Sequence, residues 1–385
     1  STAFARTFHD FGADDVLEAQ FEDKDLGVPG ALFMEDLVLD MKDDEMDGTL
    51  SLSVLGWGEN KGTRKGQFAL SDVNFELTDE EMGGPMSMSL RSMTARGLDM
   101  DVFRDVLGEI NFDTIDEDTA DDITLLMYRD PYKKIYDGYT IDNFSLNYDA
   151  LVLGLEHLGS NVAHVGDILT YKTVMKPLSL SFSGETQDPE IAEVRELMSE
   201  AGFEDLSLTA GSTTTLNKTY DRFQIENAYY ELQDNARLRF DLAGKGLKSM
   251  MEAINAADDR DELSDDEAFA IFENATLDYL DMSMTDMSLV NKIFAIVARD
   301  AGVTPDLMKT KAKASLMMGA MMAQNPAQMA FAAQSSEAVT KLIDEGGTLE
   351  IKIRPDTPLT YESFADFDPS TFDPADYGLT ISHRK

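Results

Sequence analysis

The residues best suited to binding a ligand lie between Leu289 and Glu345. About six basic and five acidic side chains occur there, so this stretch is nearly neutral in a chain whose net charge is −41. Methionine is unbranched and polarizable, and it lines surfaces that accept varied apolar shapes. We therefore predict a site for an amphiphile, with lysines facing its polar head, formed by Met308, Met317, Met318, Met321, Met322, Met329, Lys309 and Lys313.

Two other interpretations of this methionine segment stay open. The helices that carry it could simply cap the core, with methionine filling irregular gaps. Alternatively, the thioethers of Met318, Met321 and Met322 could bind copper(I), although no histidine accompanies them. The three interpretations differ in whether the side chains face a cavity, the core or a metal ion.

A short acidic run gives a weak calcium candidate. Asp43, Glu45, Asp47 and Gly48 match positions one, three, five and six of a helix–loop–helix calcium site. Position twelve is Val54, where a bidentate glutamate is required, and the flanking residues alternate as strands do. A hairpin turn explains the run better, so we predict no metal centre.

The sequence lacks the usual signatures of enzymes. It has no cysteine, which excludes thiolate nucleophiles and cysteine-ligated metals. His157 and His164 are separated by a Gly-Ser-Asn run that predicts a turn, and they form no metalloprotease motif. A nucleophile elbow, a P-loop and a dinucleotide fingerprint are also missing. We therefore expect a protein that is not an enzyme and that carries no cofactor.

The charge excludes a further class of function. The chain has 73 acidic and 32 basic side chains, and this balance repels the phosphates of nucleic acids. Such acidity is typical of proteins that stay soluble in salt. The longest apolar stretch, Ala314–Ala323, is far shorter than the roughly 18 residues of a membrane span. The chain begins with Ser1 and not Met, which suggests that a signal peptide or anchor was removed.

The elements that position these candidates are mostly strands over the first 245 residues. Six segments of the chain have apolar residues at every second position, and in each the alternation shifts by one residue at an Asp or Asn. In a regular strand this shift would place half of the apolar side chains on the opposite face of the sheet. A β-bulge at the polar residue would return them to one face and curve the sheet. We predict such bulges at Asp36, Asp72, Asn143, Asp205, Asn227 and Asp286.

The predicted secondary structure changes from strands to helices near the C-terminus. Amphipathic stretches with capping residues predict a helical segment over residues 247–345, and alternating residues after it predict a returning strand. We divide the chain into an N-terminal strand-rich domain, 1–137, and a C-terminal α+β domain, 138–385.

The order of these elements resembles a known group of proteins. The residues that carry the likeness are Gly202–Leu206, Gly302–Pro305 and Gly346–Ile351, and it extends from about Tyr139 to Ser382. The chain is similar over this part to uncharacterised β-rich proteins of the bacterial cell envelope, and more loosely to AsmA-like envelope proteins, whose repeated strands form a lipid groove. The resemblance implies an exported location, in the periplasm or at the cell surface, and lipid handling.

These observations lead to one fold and two functions. We expect an elongated α+β protein with β-rich, curved antiparallel sheets and a helical subdomain near the C-terminus. Its function would be to hold a lipid or other amphiphile between the curved apolar sheet and the methionine-rich helices. The alternative is a structural or interaction module that docks on another envelope protein and binds no small molecule. Neither function involves nucleic acid or a transmembrane span in this chain.

Overall fold

A computed structural model describes most of the chain. The described residues are 22–23, 32–42, 46–60, 65–79, 85–102, 130–186, 188–258, 274–321, 323, 325–360, 362–365 and 371–385. They fall into two compact units. The first contains the described residues within 1–164 and 171–193, and the second contains those within 165–170 and 194–385.

The first unit is built from long strands that neighbour one another in chain order. Each of the first six strands pairs antiparallel with the next. The strands are β1 (Glu22–Asp23), β2 (Leu32–Lys42), β3 (Met46–Asn60), β4 (Lys65–Asp79), β5 (Met86–Asp99), β6 (Gly138–Tyr148), β7 (Leu151–Val165) and most of β8 (Ile168–Phe182).

The second unit combines an antiparallel sheet with helices. Its strands are β9 (Leu206–Asn217), β10 (Arg222–Leu232), β11 (Ala236–Lys245), β12 (Thr276–Asp286), β13 (Gly347–Ile353), β14 (Leu359–Thr360) and β15 (Leu379–Arg384). They neighbour in the order β9-β10-β11-β12-β13-β15, and β14 pairs with β12. The prediction of an α+β fold, with a curved antiparallel sheet and helices near the C-terminus, is confirmed.

Six helices lie within the described ranges. They are α1 (Pro189–Glu200), α2 (Leu247–Asp258), α3 (Leu289–Asp300), α4 (Pro305–Met321), α5 (Pro326–Glu345) and α6 (Glu362–Ala365). Asp188 starts α1, because its carboxylate accepts the Glu190 N–H at 2.8 Å. The helices α3, α4 and α5 follow one another between β12 and β13, in the region where the sequence predicts a helical segment.

A row of unusual residues crosses the first unit. Asp36, Asp72 and Asn143 lie inside strands with φ values of 53°, 50° and 51°, in the left-handed region that Asp and Asn tolerate better than other non-glycine residues. The pairs on either side place them at one level of the sheet. From β2 to β7 this row is formed by Asp36, Ser53, Asp72, Arg91, Asn143 and Glu156.

The apolar residues on both sides of this row share one face, as the parity change predicts. In β4, Phe68 and Leu70 precede Asp72 and Val73 comes after it with the opposite parity, yet all three belong to a single hydrophobic cluster. The buried centre of the cluster consists of Leu37, Leu39, Leu52, Leu55 and Val73. The left-handed residues therefore let both halves of a long strand contribute to one core.

The mechanism differs from the predicted bulge in most places. At Asn227, two residues of β10 oppose one residue of β11, so the predicted bulge is present. At Asp36, Asp72 and Asn143 the register stays unchanged across the row, so the parity changes without an inserted residue. The predictions for Asp205 and Asp286 were wrong. Asp205 precedes β9, and Asp286 ends β12.

Two further predictions bear on possible metal sites. The predicted turn between His157 and His164 was wrong, because both residues lie in the continuous strand β7. A Cβ atom on Gly159 would lie 2.8 Å from the His157 Nε2 atom, so glycine permits this packing inside the strand. Of the weak calcium candidate, Asp43 and Glu45 lie outside the described residues, and Asp47 pairs with Lys42 in the β2–β3 hairpin.

The left-handed row leads to a stability prediction. Asp72→Val should lower the free energy of unfolding by about 1–3 kcal/mol, because a β-branched side chain is strained at positive φ. Asp72→Gly should stay within about 1 kcal/mol of the parent protein, since glycine adopts this conformation freely. Urea unfolding measures both. Glu76→Val, at an exposed position of the same strand, is the matched control, and an equal loss there would contradict the prediction.

Candidate functional site

The helix α5 forms one wall of the candidate site, and its sequence explains where it begins. The Asn325 side chain accepts the Gln328 N–H at 2.9 Å, and Pro326 occupies the first helical position. The other end of α5 is fixed by burial of Ala338, Leu342 and Ile343. The helix is therefore held by apolar packing in its C-terminal half.

The N-terminal half of α5 is fixed by side-chain amides. Gln328 Nε2 donates to the Phe372 carbonyl at 2.9 Å, and Asn325 Nδ2 donates to the same oxygen at 3.2 Å. Gln334 Nε2 donates to the Ile381 carbonyl at 2.7 Å. These bonds hold the helix beside β15 and the 371–378 segment while its small side chains leave space between them.

This space is a cavity of about 590 Å³, within the usual size range of small-molecule sites. The α5 wall presents Ala327, Ala330, Phe331 and Gln334. The opposite side is formed by the ends of β13 and β15 and by the segment that precedes β15, through Lys352, Arg354, Asp373, Pro374, Ala375, Gly378, Leu379 and Thr380. The wall is mostly apolar, and its charged groups come from β13, from Arg354 just after it, and from Asp373.

The turn before β15 requires glycine at position 378. Gly378 has a φ of 56°, and a Cβ atom there would overlap the carbonyl of Arg354. The Arg354 N–H donates to the Gly378 carbonyl at 3.1 Å, and the Leu379 N–H donates to the Pro374 carbonyl at 2.9 Å. This close approach joins the last strands to the segment that lines one side of the cavity.

Arg354 is oriented by a carboxylate of the neighbouring strand β12. Its Nε atom donates to Asp281 Oδ1 at 2.9 Å and its Nη2 atom donates to Oδ2 at 2.5 Å. The hydrogen bonds from Arg354 lower the pKa of Asp281, and the nearby charge of Lys352 adds to this effect. The pair uses two of the five N–H donors of a guanidinium and keeps Asp281 ionised at neutral pH.

A second, smaller pocket of about 220 Å³ adjoins the cavity through Lys352, which lines both. The other residues of this pocket are Arg239, Phe240, Asp241, Asp281, Met282, Ser283 and Glu350. Lys352 Nζ lies 3.5 Å from Glu350 Oε2. A mostly apolar cavity thus meets a polar pocket that carries both signs of charge.

The methionines that the sequence singles out lie elsewhere. Met317, Met318 and Met321 of α4 are 57%, 66% and 84% exposed, and Met329 of α5 is 49% exposed. Met308 is half-buried, and Met322 lies outside the described residues. Lys309 Nζ bonds Asn291 Oδ1 at 2.5 Å, and Lys313 Nζ bonds Asp344 Oδ1 at 2.7 Å. The structure brings none of the described residues of this set into the wall of the cavity.

Sequence reasoning missed the residues that line the cavity. The signal available for α5 was the spacing of Ala327, Ala330 and Gln334, which places small and polar side chains on one face. The sequence pattern for the opposite wall was weaker, because residues 371–378 are of types common in turns and show no regular apolar spacing. The pairing of Lys352 with Thr380 across β13 and β15 comes only from the strand register.

A polar pair on the first unit was also missed. His157 Nδ1 lies 2.6 Å from Asp142 Oδ1, and Ser92 Oγ donates to Asp142 Oδ2 at 3.3 Å. The hydrogen bond with His157 lowers the pKa of Asp142. The serine contacts the carboxylate and not the imidazole, so the three residues lack the order of a hydrolase triad. Among the described residues, no group of three or more His, Asp or Glu side chains could hold a metal ion.

Comparison with known proteins gives a limited result. The chain is similar over residues 229–384 to a protein family described as an uncharacterized protein. This region includes β13, β15, α5 and all of the cavity wall. No curated protein matches the chain. In the part of the chain that the structure describes, no helix has both the length and the apolar character to cross a membrane.

The Asp281–Arg354 pair leads to a pH prediction. The pKa of Asp281 is lower in the folded protein than the usual value of about 3.9, so the stabilisation is present above about pH 4. It is lost as the pH falls through the folded-state pKa. Asp281→Asn should therefore lower the free energy of unfolding by about 1 kcal/mol at pH 7, and by less at about pH 3.

Urea unfolding at the two pH values measures this difference. Asp356→Asn, which removes an exposed carboxylate from the segment after β13, is the control and should change stability little at either pH. A deficit for Asp281→Asn that stays constant between pH 7 and pH 3 would show that the ion pair is not its cause.

Proposed function

We propose that this chain is a non-enzymatic protein of the bacterial cell envelope that binds an amphiphile in the cavity between α5 and the last strands. The observation that carries the proposal is the shape and chemistry of the 590 Å³ cavity. Ala327, Ala330, Phe331 and Leu379 offer an apolar wall to an acyl chain. The site adjoins the sheet and a helix of the methionine-rich segment, but the ligand contacts α5 and not the exposed methionines of α4.

The adjoining polar pocket supports an amphiphile over a purely apolar ligand. Lys352 lines both spaces, so it stands where the apolar and polar parts of a bound molecule would meet. The pocket offers Arg239 and Lys352 to anionic oxygens, and Asp241, Asp281 and Glu350 to hydroxyl or ammonium groups. A head group with an anionic oxygen and neighbouring hydrogen-bond donors fits this arrangement.

The location in the envelope is part of the same proposal. It is supported by the acidic composition, which suits exposure to varying salt. Arg354 lowers the pKa of Asp281 and keeps this carboxylate ionised, which suits binding of a hydroxyl or ammonium group.

Filling the cavity tests the proposal directly. Ala330→Trp should reduce uptake of a long-chain fatty acid by roughly tenfold or more, because the indole occupies the space of the acyl chain. Native mass spectrometry after titration with the fatty acid measures uptake. Ala333→Trp is the matched control, since Ala333 is exposed on the same helix and does not line the cavity. Equal uptake by both variants, or none by the parent protein, would overturn the proposal.

The role of Lys352 gives a second test. Lys352→Gln should weaken binding of a fatty-acid anion by roughly tenfold, the effect of losing one charge-assisted contact. Binding of the matching monoacylglycerol, which has no charge, should change little. Titration followed by native mass spectrometry compares the two ligands on one variant. Equal weakening for both ligands would place the head group away from Lys352.

The alternative of a structural or interaction module predicts a different outcome. A parent protein that extracts no amphiphile, and that cross-links to one dominant neighbour in native membranes, would favour docking on another envelope protein. The feature that favours this alternative is the exposure of four methionines on α4 and α5.

A further inference from the structure

The 220 Å³ pocket lies on one face of three neighbouring strands, β11, β12 and β13. Side chains that stand opposite each other in paired strands, or two residues apart in one strand, share a face of the sheet. Two rows of three side chains therefore lie next to each other, with the strands about 4.8 Å apart. One row consists of Arg239, Ser283 and Glu350, and the other of Asp241, Asp281 and Lys352.

Most charges of this pocket are compensated within the protein. The guanidinium of Arg354 binds both carboxylate oxygens of Asp281. Glu350 has two cations beside it, since its Oε1 atom lies 3.1 Å from Arg384 Nε and its Oε2 atom lies 3.5 Å from Lys352 Nζ. These groups already have partners of opposite charge.

Two opposite charges remain on β11. Of the described residues, none forms an ion pair with Arg239 or with Asp241. The Asp241 Oδ1 atom accepts the Asn227 N–H at the bulge of β10, which orients this carboxylate. Within the described part of the chain, its Oδ2 atom accepts no hydrogen bond. The pocket thus keeps one guanidinium and one carboxylate oxygen for a bound molecule.

The position of Asp241 favours a cation beside it. Asp241 stands directly opposite Asp281 in the pairing of β11 with β12, and like charges at such positions destabilise a sheet. Arg354 compensates the charge of Asp281 but forms no ion pair with Asp241. A cationic group bound to the Asp241 Oδ2 atom would remove the remaining repulsion.

The position of Arg239 favours an anion beside it. Ser283 stands directly opposite Arg239, so a guanidinium and a hydroxyl lie next to each other on the same face. The planar fork of an arginine binds the oxygens of phosphates and carboxylates through two parallel bonds, and a serine hydroxyl can donate a further bond. These two residues form the anionic half of a subsite.

We propose that this pocket recognises a zwitterionic head group, with a phosphate on Arg239 and Ser283 and an ammonium group on Asp241. The Cα atoms of Arg239 and Asp241 are about 6.8 Å apart along β11, a separation that suits charges joined by a short link. Phosphoethanolamine, in which two carbons join the phosphate oxygen to the ammonium nitrogen, has this form. A purely anionic head group would leave Asp241 without a partner.

This inference deepens the proposed function, because it names the head group of the amphiphile. Lys352 lines the pocket and the larger cavity, so a chain bound beside α5 continues into the subsite on β11. The inference rests on the proposed function for the acyl chain alone. The head-group subsite is tested separately with a molecule that has no chain.

Two lysophospholipids of one chain length test the ammonium site. Lysophosphatidylethanolamine and lysophosphatidylglycerol share the phosphate, and only the first has an ammonium group. Native mass spectrometry should show a preference of roughly tenfold for the first, the effect of one charge-assisted contact. Asp241→Asn should abolish this preference, because the amide keeps an oxygen for the Asn227 N–H and loses the charge. Asp234→Asn, in the exposed β10–β11 turn, is the control and should keep it.

A second pair of variants tests the phosphate site. Arg239→Gln should weaken binding of both lysophospholipids roughly tenfold and leave binding of the uncharged monoacylglycerol unchanged. Lys245→Gln removes an exposed cation from the same strand outside the pocket, so it should bind all three ligands like the parent protein. Equal weakening by Arg239→Gln and Lys245→Gln would overturn the assignment of the phosphate.

The remaining outcomes separate the head group from the cavity. Equal binding of the two lysophospholipids by the parent protein, or a preference that survives Asp241→Asn, would overturn the zwitterion subsite and leave the cavity proposal intact. Free phosphoethanolamine that binds at millimolar concentration, and is lost in Asp241→Asn, would support the subsite even if the protein takes up no fatty acid. The lysophospholipid preference without binding of the free compound would assign the subsite to a lipid head group.

Discussion

The fold depends on a constraint at one row of the first sheet, where the side-chain alternation has to change. A long strand with an apolar residue at every second position buries one face, and a single change of parity would expose half of those residues. Asp36, Asp72 and Asn143 meet this constraint with left-handed backbones at one level. These three residues lie in alternate strands, β2, β4 and β6, and the hydrophobic cluster extends on both sides of the row.

Part of this fold can be predicted from the sequence. Among the described residues, the apolar spacing identified the four non-glycine residues that adopt positive φ inside strands, because parity is a property of neighbouring positions. It could not separate these from Asp286, where the same pattern runs past the end of a strand. There the carboxylate accepts the Val290 N–H at 2.9 Å and helps to start α3. An Asp at the end of such a pattern turns a strand or begins a helix according to the tertiary contacts of the next element.

The residues of the candidate site were harder to predict from the sequence, because its wall joins residues that are far apart in the chain. Ala330 and Lys352 meet only after α5 has packed beside β13 and β15. The methionine pattern was visible in sequence, but the direction in which the side chains point was not. Helix α4 has apolar residues around much of its circumference, so periodicity did not indicate which ones face solvent. Strand register and helix packing determine which residues line the cavity and which methionines face solvent. No local sequence pattern encodes either of them.

The way α5 is attached shows which end of this cavity wall is held less firmly. Its C-terminal half buries Ala338, Leu342 and Ile343, and each such contact is lost only at a cost of about 1–3 kcal/mol. Its N-terminal half is held by the amide bonds of Asn325, Gln328 and Gln334, each contributing about 1 kcal/mol and replaceable by water. The helix should therefore separate from the 371–378 segment at the end that lines the cavity before its buried end moves. That end also presents Ala327, Ala330 and Phe331 to the cavity, so the less firmly held turns of α5 are the ones that form its apolar wall.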